Sequence, residues 1–172
     1  DYQFLVIRRF DCIGETGRRG LISLKTLDLE FVGSRDHRWP FIADKLAKQG
    51  VIDAEQLQII NLLFCFGRLI ANTDMHSGNL SFFSDDVCAR PYMLAPAYDM
   101  LPMAFMSEQK PELTSLIVDP DLPNGIWIDA YNIALRYWQL LATMPNLSNS
   151  FRSISKNMSD YLQNTVYPKI RE

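Results

Sequence analysis

Residues 53–71, Asp53 through Ala71, constrain the fold more than any other stretch. Leu57, Ile60, Leu63, Phe64 and Ile70 recur at helical spacing and mark one face. Ile59, Leu62, Phe66 and Leu69 carry the apolar surface nearly all the way round. A helix that is apolar on every side has no face to give to water, so it belongs in the middle of a domain. Asp53 is placed to cap its start, and Gln56 stands three residues on, the spacing of a capping box. Asn61, Gly67 and Arg68 interrupt the run from Ile59 to Ala71, which is too short and too polar to span a bilayer. A buried helix of this kind holds the loop after it in a fixed place.

That loop is Asn72-Thr73-Asp74-Met75-His76-Ser77-Gly78-Asn79-Leu80. Leu80–Phe83 and Tyr92–Leu94 then flank a polar turn at Ser84-Asp85-Asp86, which reads as a β-hairpin. Asn79 stands at its start. Leu94-Ala95-Pro96-Ala97-Tyr98-Asp99 puts a carboxylate just past its end, so the hairpin can return Asp99 to the edge where Asn79 begins. An ordered Asp-x-His-x-x-Asn followed by a second Asp is the kit that phosphoryl transfer calls for. Asp74 would accept or orient an attacking hydroxyl, and Asn79 and Asp99 would hold the magnesium that bridges the phosphates. A turn alone needs neither His76 nor Asp99. Asp85 and Asp86 sit among turn formers and read as turn residues rather than ligands.

These residues, with Met100-Leu101 after Asp99, resemble the C-terminal lobe of the HipA-like serine/threonine kinases, bacterial toxin kinases of toxin–antitoxin pairs. The likeness reaches upstream to Val6-Ile7-Arg8-Arg9-Phe10-Asp11 and to Ile22-Ser23-Leu24-Lys25-Thr26-Leu27, covering most of residues 3–102. It implies a protein-kinase-like lobe built around the buried helix, with a catalytic loop and a β-hairpin, and a cytoplasmic enzyme using ATP and Mg2+. Residues 1–11 become the hinge strand, with Arg8 and Phe10 beside the adenine. His76 becomes a catalytic or phosphate-side residue next to Asp74, and Asn72 shapes the loop. The implied partners are a protein substrate and a DNA-binding, HipB-like antitoxin, with no nucleic acid bound by this lobe itself. The chain departs from the family pattern in two places. Family members often carry Lys just before the metal-binding Asn, where this chain has Gly78. The chain also opens at the hinge, so the lobe that carries the phosphate loop is expected upstream, and the fragment alone is expected to be inactive. Beside a bare structural helical domain, two rivals remain open. One is a kinase-shaped transcriptional regulator or antitoxin-binding module, which Gly78 favours. The other is a small-molecule phosphotransferase, since Asp-x-x-x-x-Asn followed by Asp also occurs in aminoglycoside and choline kinases.

At 172 residues and 48% hydrophobic, the chain has enough material for a sizeable core and reads as a single domain over 1–172. A net charge of −3 argues against a general nucleic-acid binder. Cys12, Cys65 and Cys88 fit neither a zinc pattern nor a disulfide framework and suit a reducing compartment. No signal peptide is visible.

The rest reads as mainly α scaffold with a small β component. Phe4–Ile7 is expected to be a buried strand. Gly14 to Gly20 reads as a glycine-rich hairpin turn, because its spacing matches no phosphate loop. Ser23 caps a short helix to about Leu29. Gly33 to Trp39 is polar and irregular, with His37 a solvated loop residue. Pro40 opens a helix with Phe41, Ile42, Leu46 and Ala47 inward, ended by Gly50. Pro102–Gly125, rich in Met and Pro, occupies the place of an activation or substrate segment. Asp129 caps a helix to Met144 with Ile133, Tyr137, Leu140 and Leu141 inward. Ser148 starts a last one to about Val166 with Phe151, Ile154, Met158, Tyr161 and Leu162 inward.

Overall fold

The computed structural model describes residues 6–86, 90–106, 119 and 121–171, and these are mainly helical with two small antiparallel sheets. The chain divides into two compact units, Asp1–Gln56 with His76–Tyr98, and Leu57–Met75 with Asp99–Glu172.

The first unit holds both sheets. Gly14, at φ +59°, turns β1 (Cys12–Ile13) back onto β2 (Gly17–Arg18), so the glycine-rich segment is the hairpin its sequence suggested. A Cβ on Gly17 would lie 2.6 Å from the Ile13 carbonyl oxygen, which explains the second glycine. β3 (Leu21–Ser23), β4 (Ser81–Phe83) and β5 (Met93–Leu94) form an antiparallel sheet in that order. Their register sets Leu21, Phe83 and Met93 in one cross-strand row and Ile22, Phe82 and Leu94 in the next. The pleat buries Phe82 completely and leaves Leu21 and Met93 facing solvent. The hairpin of β4 and β5 is the expected one, with β3 added as a third strand.

Ser23 ends β3 and caps α1 (Leu24–Leu27), its Oγ accepting from the Thr26 amide at 3.2 Å. The helix widens into a π turn over Asp28–Val32 and stops at Gly33, φ +62°. α2 (Trp39–Lys48) has Pro40 in its first turn and buries Trp39, Ile42, Ala43 and Leu46. That stripe corrects the expected one. It starts at Trp39, and the spacing 39, 42, 43, 46 leaves Phe41 outside it, 37% exposed. Asp53 caps α3 (Ala54–Leu69), accepting from the Gln56 amide at 2.8 Å. Gln56 does not complete the capping box. Its buried Oε1 instead accepts from the Leu94 amide at 2.8 Å and anchors β5. A further correction concerns the N-terminal strand. Phe4 and Leu5 lie outside the described residues, while Val6 and Ile7 are non-strand and exposed, because no described strand pairs with them.

α3 runs on into the second unit, where Ile60, Phe64, Cys65 and Leu69 are buried. Leu62, Leu63 and Phe66 are half-buried and Ile59 is exposed, so its all-round burial is less complete than the composition suggested. α4 (Asn124–Thr143) starts five residues before the expected Asp129 and buries Trp127, Ala130, Tyr131, Ala134 and Trp138. Ile133 and Leu140, expected inward, are exposed. The two tryptophans and Tyr131 bury more area than the aliphatic side chains and fix which face turns in. The Trp138 indole N–H donates to the Leu69 carbonyl at 3.2 Å, and Phe105 meets the Trp138 ring edge-on at 5.8 Å. Ser148 caps α5 (Asn149–Tyr161), accepting from Phe151 N at 3.2 Å. The helix continues through a π turn, Leu162–Val166, into α6 (Tyr167–Arg171), past the expected end. Met158, Leu162, Val166 and Ile170 are its buried row, with Phe151, Ile154 and Tyr161 half-buried. Most of the Met- and Pro-rich stretch after Met106 lies outside the described residues. No described helix is long and apolar enough to cross a membrane.

Candidate functional site

The motif is distributed over both units. In the second unit it begins with the end of α3. The Asn72 amide donates to the Gly67 carbonyl at 2.9 Å and the Ala71 amide to the Arg68 carbonyl at 3.1 Å. This is a Schellman ending, with Ala71 rather than glycine in the left-handed position at φ +59°. The termination is sharp, and it turns the Asn72 side chain inward, where the residue is 5% exposed. Asn72 Nδ2 donates to the Asp99 carbonyl at 3.0 Å, while its Oδ1 accepts from the Asp74 amide at 2.9 Å. One buried amide therefore ties the backbone of Asp74 to that of Asp99, 27 positions from Asn72 in sequence. The loop-shaping role expected of Asn72 is the one it performs.

Asp99 is itself left-handed, at φ +53°. Aspartate tolerates this conformation better than most residues. The Asp99 carbonyl also accepts from Leu101 N at 3.0 Å, and Ala104 N reaches the Ala71 carbonyl at 3.0 Å, so the chain after Asp99 is stitched to the end of α3. Gly67 leaves room for the loop. A Cβ there would lie 2.6 Å from Met75 Cε and 3.2 Å from Met100 Cε. The side chains of both Asp74 and Asp99 are exposed.

In the first unit, His76 caps a single 3-10 turn, Ser77–Asn79. Its Nδ1 accepts from the Gly78 amide at 3.0 Å, which assigns the imidazole proton to Nε2. The Asn79 amide donates to the His76 carbonyl at 3.0 Å, and the indole N–H of buried Trp39 donates to that same carbonyl at 3.1 Å. The imidazole folds over Gly78, where a Cβ would lie 2.8 Å from His76 Cε1 and 2.9 Å from Nδ1. Tyr98 closes the turn from the other side. Its hydroxyl donates to the Gly78 carbonyl at 3.1 Å and lies 2.7 Å from Ser81 Oγ.

Phe10 is half-buried. It stacks on Tyr98 at 6.1 Å between centroids and meets Phe83 edge-on at 6.2 Å. Arg8 is exposed. Arg9 grips Asp11 through two hydrogen bonds of 2.7 and 2.8 Å, which hold that carboxyl below its ordinary range. Arg19 reaches across to Asp85 and lies over the Phe83 ring, 3.5 Å from its centroid. Asp85 thus pairs with an arginine, in keeping with a turn residue rather than a ligand.

The second unit therefore brings Asp74 and Asp99 together through Asn72, and the first gathers His76, Asn79 and Phe10 around Tyr98. Trp39 and Tyr98 are the residues that sequence reasoning missed. In the sequence Trp39 lies at the edge of a polar, irregular segment, and Tyr98 stands out only as part of a motif. The one signal for Trp39 was a large aromatic residue next to Pro40 at a helix start. Among the described residues, no group of three or more His, Cys, Asp and Glu is placed to hold a metal ion. Taken singly, each residue expected to hold magnesium offers a donor of the right kind. An Asp99 carboxylate and an Asn79 amide are hard oxygen donors, and magnesium is held by one or two such groups alongside phosphate oxygens and water.

Residues 1–164 match the family model described as HipA-like C-terminal domain, and the chain belongs to that family. Among curated relatives, Toxin YjjJ of Escherichia coli (strain K12) is 34% identical over 164 residues, covering 93% of this chain and 36% of that protein. The chain thus spans about a third of the length of this relative.

Proposed function

We propose that the chain is the catalytic C-terminal lobe of a HipA-like serine/threonine protein kinase, acting in the cytoplasm with an ATP-contacting lobe from the rest of the protein. The observation that carries this reading is the Asn72 bridge, because a loop made only of turn formers has no need to fix Asp74 to Asp99. Asp74 is exposed on a backbone held by a buried side chain, the arrangement a base needs to meet a protein hydroxyl. Asn79 and Asp99 would hold magnesium, which supplies charge neutralisation at the ATP phosphates. His76 keeps Nδ1 on the turn and presents Nε2–H as its donor. Arg8 and Phe10 belong to the adenine side. A protein substrate and a DNA-binding antitoxin are the partners this reading calls for.

Gly78 favours a second reading, a kinase-shaped regulator that binds the antitoxin without transferring phosphate. The full-length protein with γ-labelled ATP and magnesium, beside its Asp74→Asn variant, separates the two. The kinase reading expects label on protein, reduced about a hundredfold or more in the variant. Folded protein that transfers nothing, beside a working control kinase, refutes it in favour of the regulator. Label on an aminoglycoside or a choline-like alcohol instead of protein identifies a small-molecule phosphotransferase.

A further inference from the structure

We infer that Tyr98 is a positioning residue for the magnesium-holding turn, acting through its hydroxyl on the peptide that precedes Asn79. The inference rests on the proposed role of Asn79 as a metal ligand.

A phenol has one hydrogen to donate. The Gly78 carbonyl can only accept, so the Tyr98 hydrogen goes there, across 3.1 Å. Ser81 Oγ, 2.7 Å away, must then be the donor to Tyr98. The result is a directed chain, Ser81 O–H to Tyr98 O–H to Gly78 C=O, in which each bond polarises the next. The Gly78 carbonyl and the Asn79 amide belong to one peptide plane. Its N–H end is held by the His76 carbonyl at 3.0 Å, and its C=O end by Tyr98. With both poles gripped, the plane cannot rotate without breaking two hydrogen bonds, and its orientation sets the direction in which the Asn79 side chain leaves the backbone. The hydroxyl is itself held in place. The Tyr98 ring stacks on Phe10, which Phe83 meets edge-on, and Ser81 is only 8% exposed. A tyrosine present only for packing would need the ring alone.

Tyr98→Phe keeps the ring and removes the clamp. The test measures equilibrium nucleotide binding by the full-length protein across a magnesium titration and again without metal, with thermal midpoints recorded alongside. The expected result is a magnesium half-saturation raised about three- to tenfold, the scale of one lost hydrogen bond, with metal-free nucleotide binding unmoved. Ser81→Ala leaves the Tyr98–Gly78 bond in place and is expected to raise it about twofold at most. An unchanged half-saturation in Tyr98→Phe overturns the inference. So does an equal loss in metal-free binding, or the full loss in Ser81→Ala, since each marks a general structural role. Wild-type protein with no magnesium-dependent nucleotide binding overturns the proposed function itself and takes this inference with it.

Discussion

Replacing Asn72 tests the loop at its anchor. Asn72→Ala removes two main-chain hydrogen bonds, to the Asp99 carbonyl at 3.0 Å and from the Asp74 amide at 2.9 Å, with a long, weak one to Met100 Sδ at 3.9 Å. The Asp99 carbonyl keeps Leu101 N, and the Asp74 amide belongs to an exposed residue that water can reach, so neither group is orphaned. The loss is then the net value of two bonds, about 2 kcal/mol. For a chain of this length that is a fall of about 4–8 °C in thermal midpoint. Asn72→Asp is nearly the same shape and is expected to be worse. It retains the acceptor for Asp74 but sets a carboxylate oxygen where a donor stood, against the Asp99 carbonyl, at a residue 5% exposed. Its penalty is full while the carboxyl is ionised, at neutral pH. It shrinks as the pH falls, because a protonated carboxyl donates to the carbonyl again. Urea denaturation of the three proteins at neutral and mildly acidic pH reads both effects. If Asn72→Ala lies within about 0.5 kcal/mol of wild type, or Asn72→Asp shows no recovery in acid, the bridge does not hold the loop.

Gly78→Lys, the substitution that restores the cation the family often carries, is expected to displace the His76 imidazole and break its bond to the residue 78 amide. The cost is about 1 kcal/mol, read as a destabilised protein with a shifted His76 ring resonance. Burial pushes the Cys65 thiol up to about 12, and its side chain is fully enclosed. In a Cys12→Ser, Cys88→Ser background, it should therefore stay unreactive to a disulfide reagent at pH 8 until denaturant is added; prompt labelling of the native protein refutes this. Two bonds from Arg19 hold the Asp85 carboxyl below its ordinary value of 3.8, so this pair contributes to stability above that pH and its contribution is lost as the pH falls through the depressed value. Asp85→Asn should flatten that part of the acid limb of the stability profile, and an unchanged limb would show that the pair contributes nothing measurable.

Three helix starts were legible because they rest on local chemistry, whereas α4, which no side chain caps, was expected to start at Asp129. Ser23, Asp53 and Ser148 each accept from the amide three residues on, as their position before an apolar run suggests. The two hairpins were legible for the same reason. Faces were harder. α4 carries apolar residues on more than one side, and periodicity alone favoured the row through Ile133 and Leu140, whereas the row through Trp127, Tyr131 and Trp138 is the buried one. Long-range polar contacts left no sequence signal at all. The Gln56 bond to Leu94, the Trp39 bond to His76 and the Asn72 bond to Asp99 join residues 27 to 38 positions apart, and nothing in the local pattern names their partners. Of the candidate site, the residue types were readable from the motif, but the supports that aim them were not.

The exchange at Gly78 has its reason in that same local geometry. His76 can cap the turn through Nδ1 only by folding its ring over residue 78, and with the ring there a Cβ at 78 would meet Cε1 at 2.8 Å. In this geometry the two positions depend on each other. Either the histidine caps and position 78 is glycine, or position 78 carries a side chain and the imidazole turns away. What looks in the sequence like an isolated loss of a cation is, in the fold, the condition for a turn clamped at both ends of one residue, with His76 on the Gly78 amide and Tyr98 on its carbonyl. Gly78 taken alone therefore weighs less against the kinase than its side chain's absence first suggests.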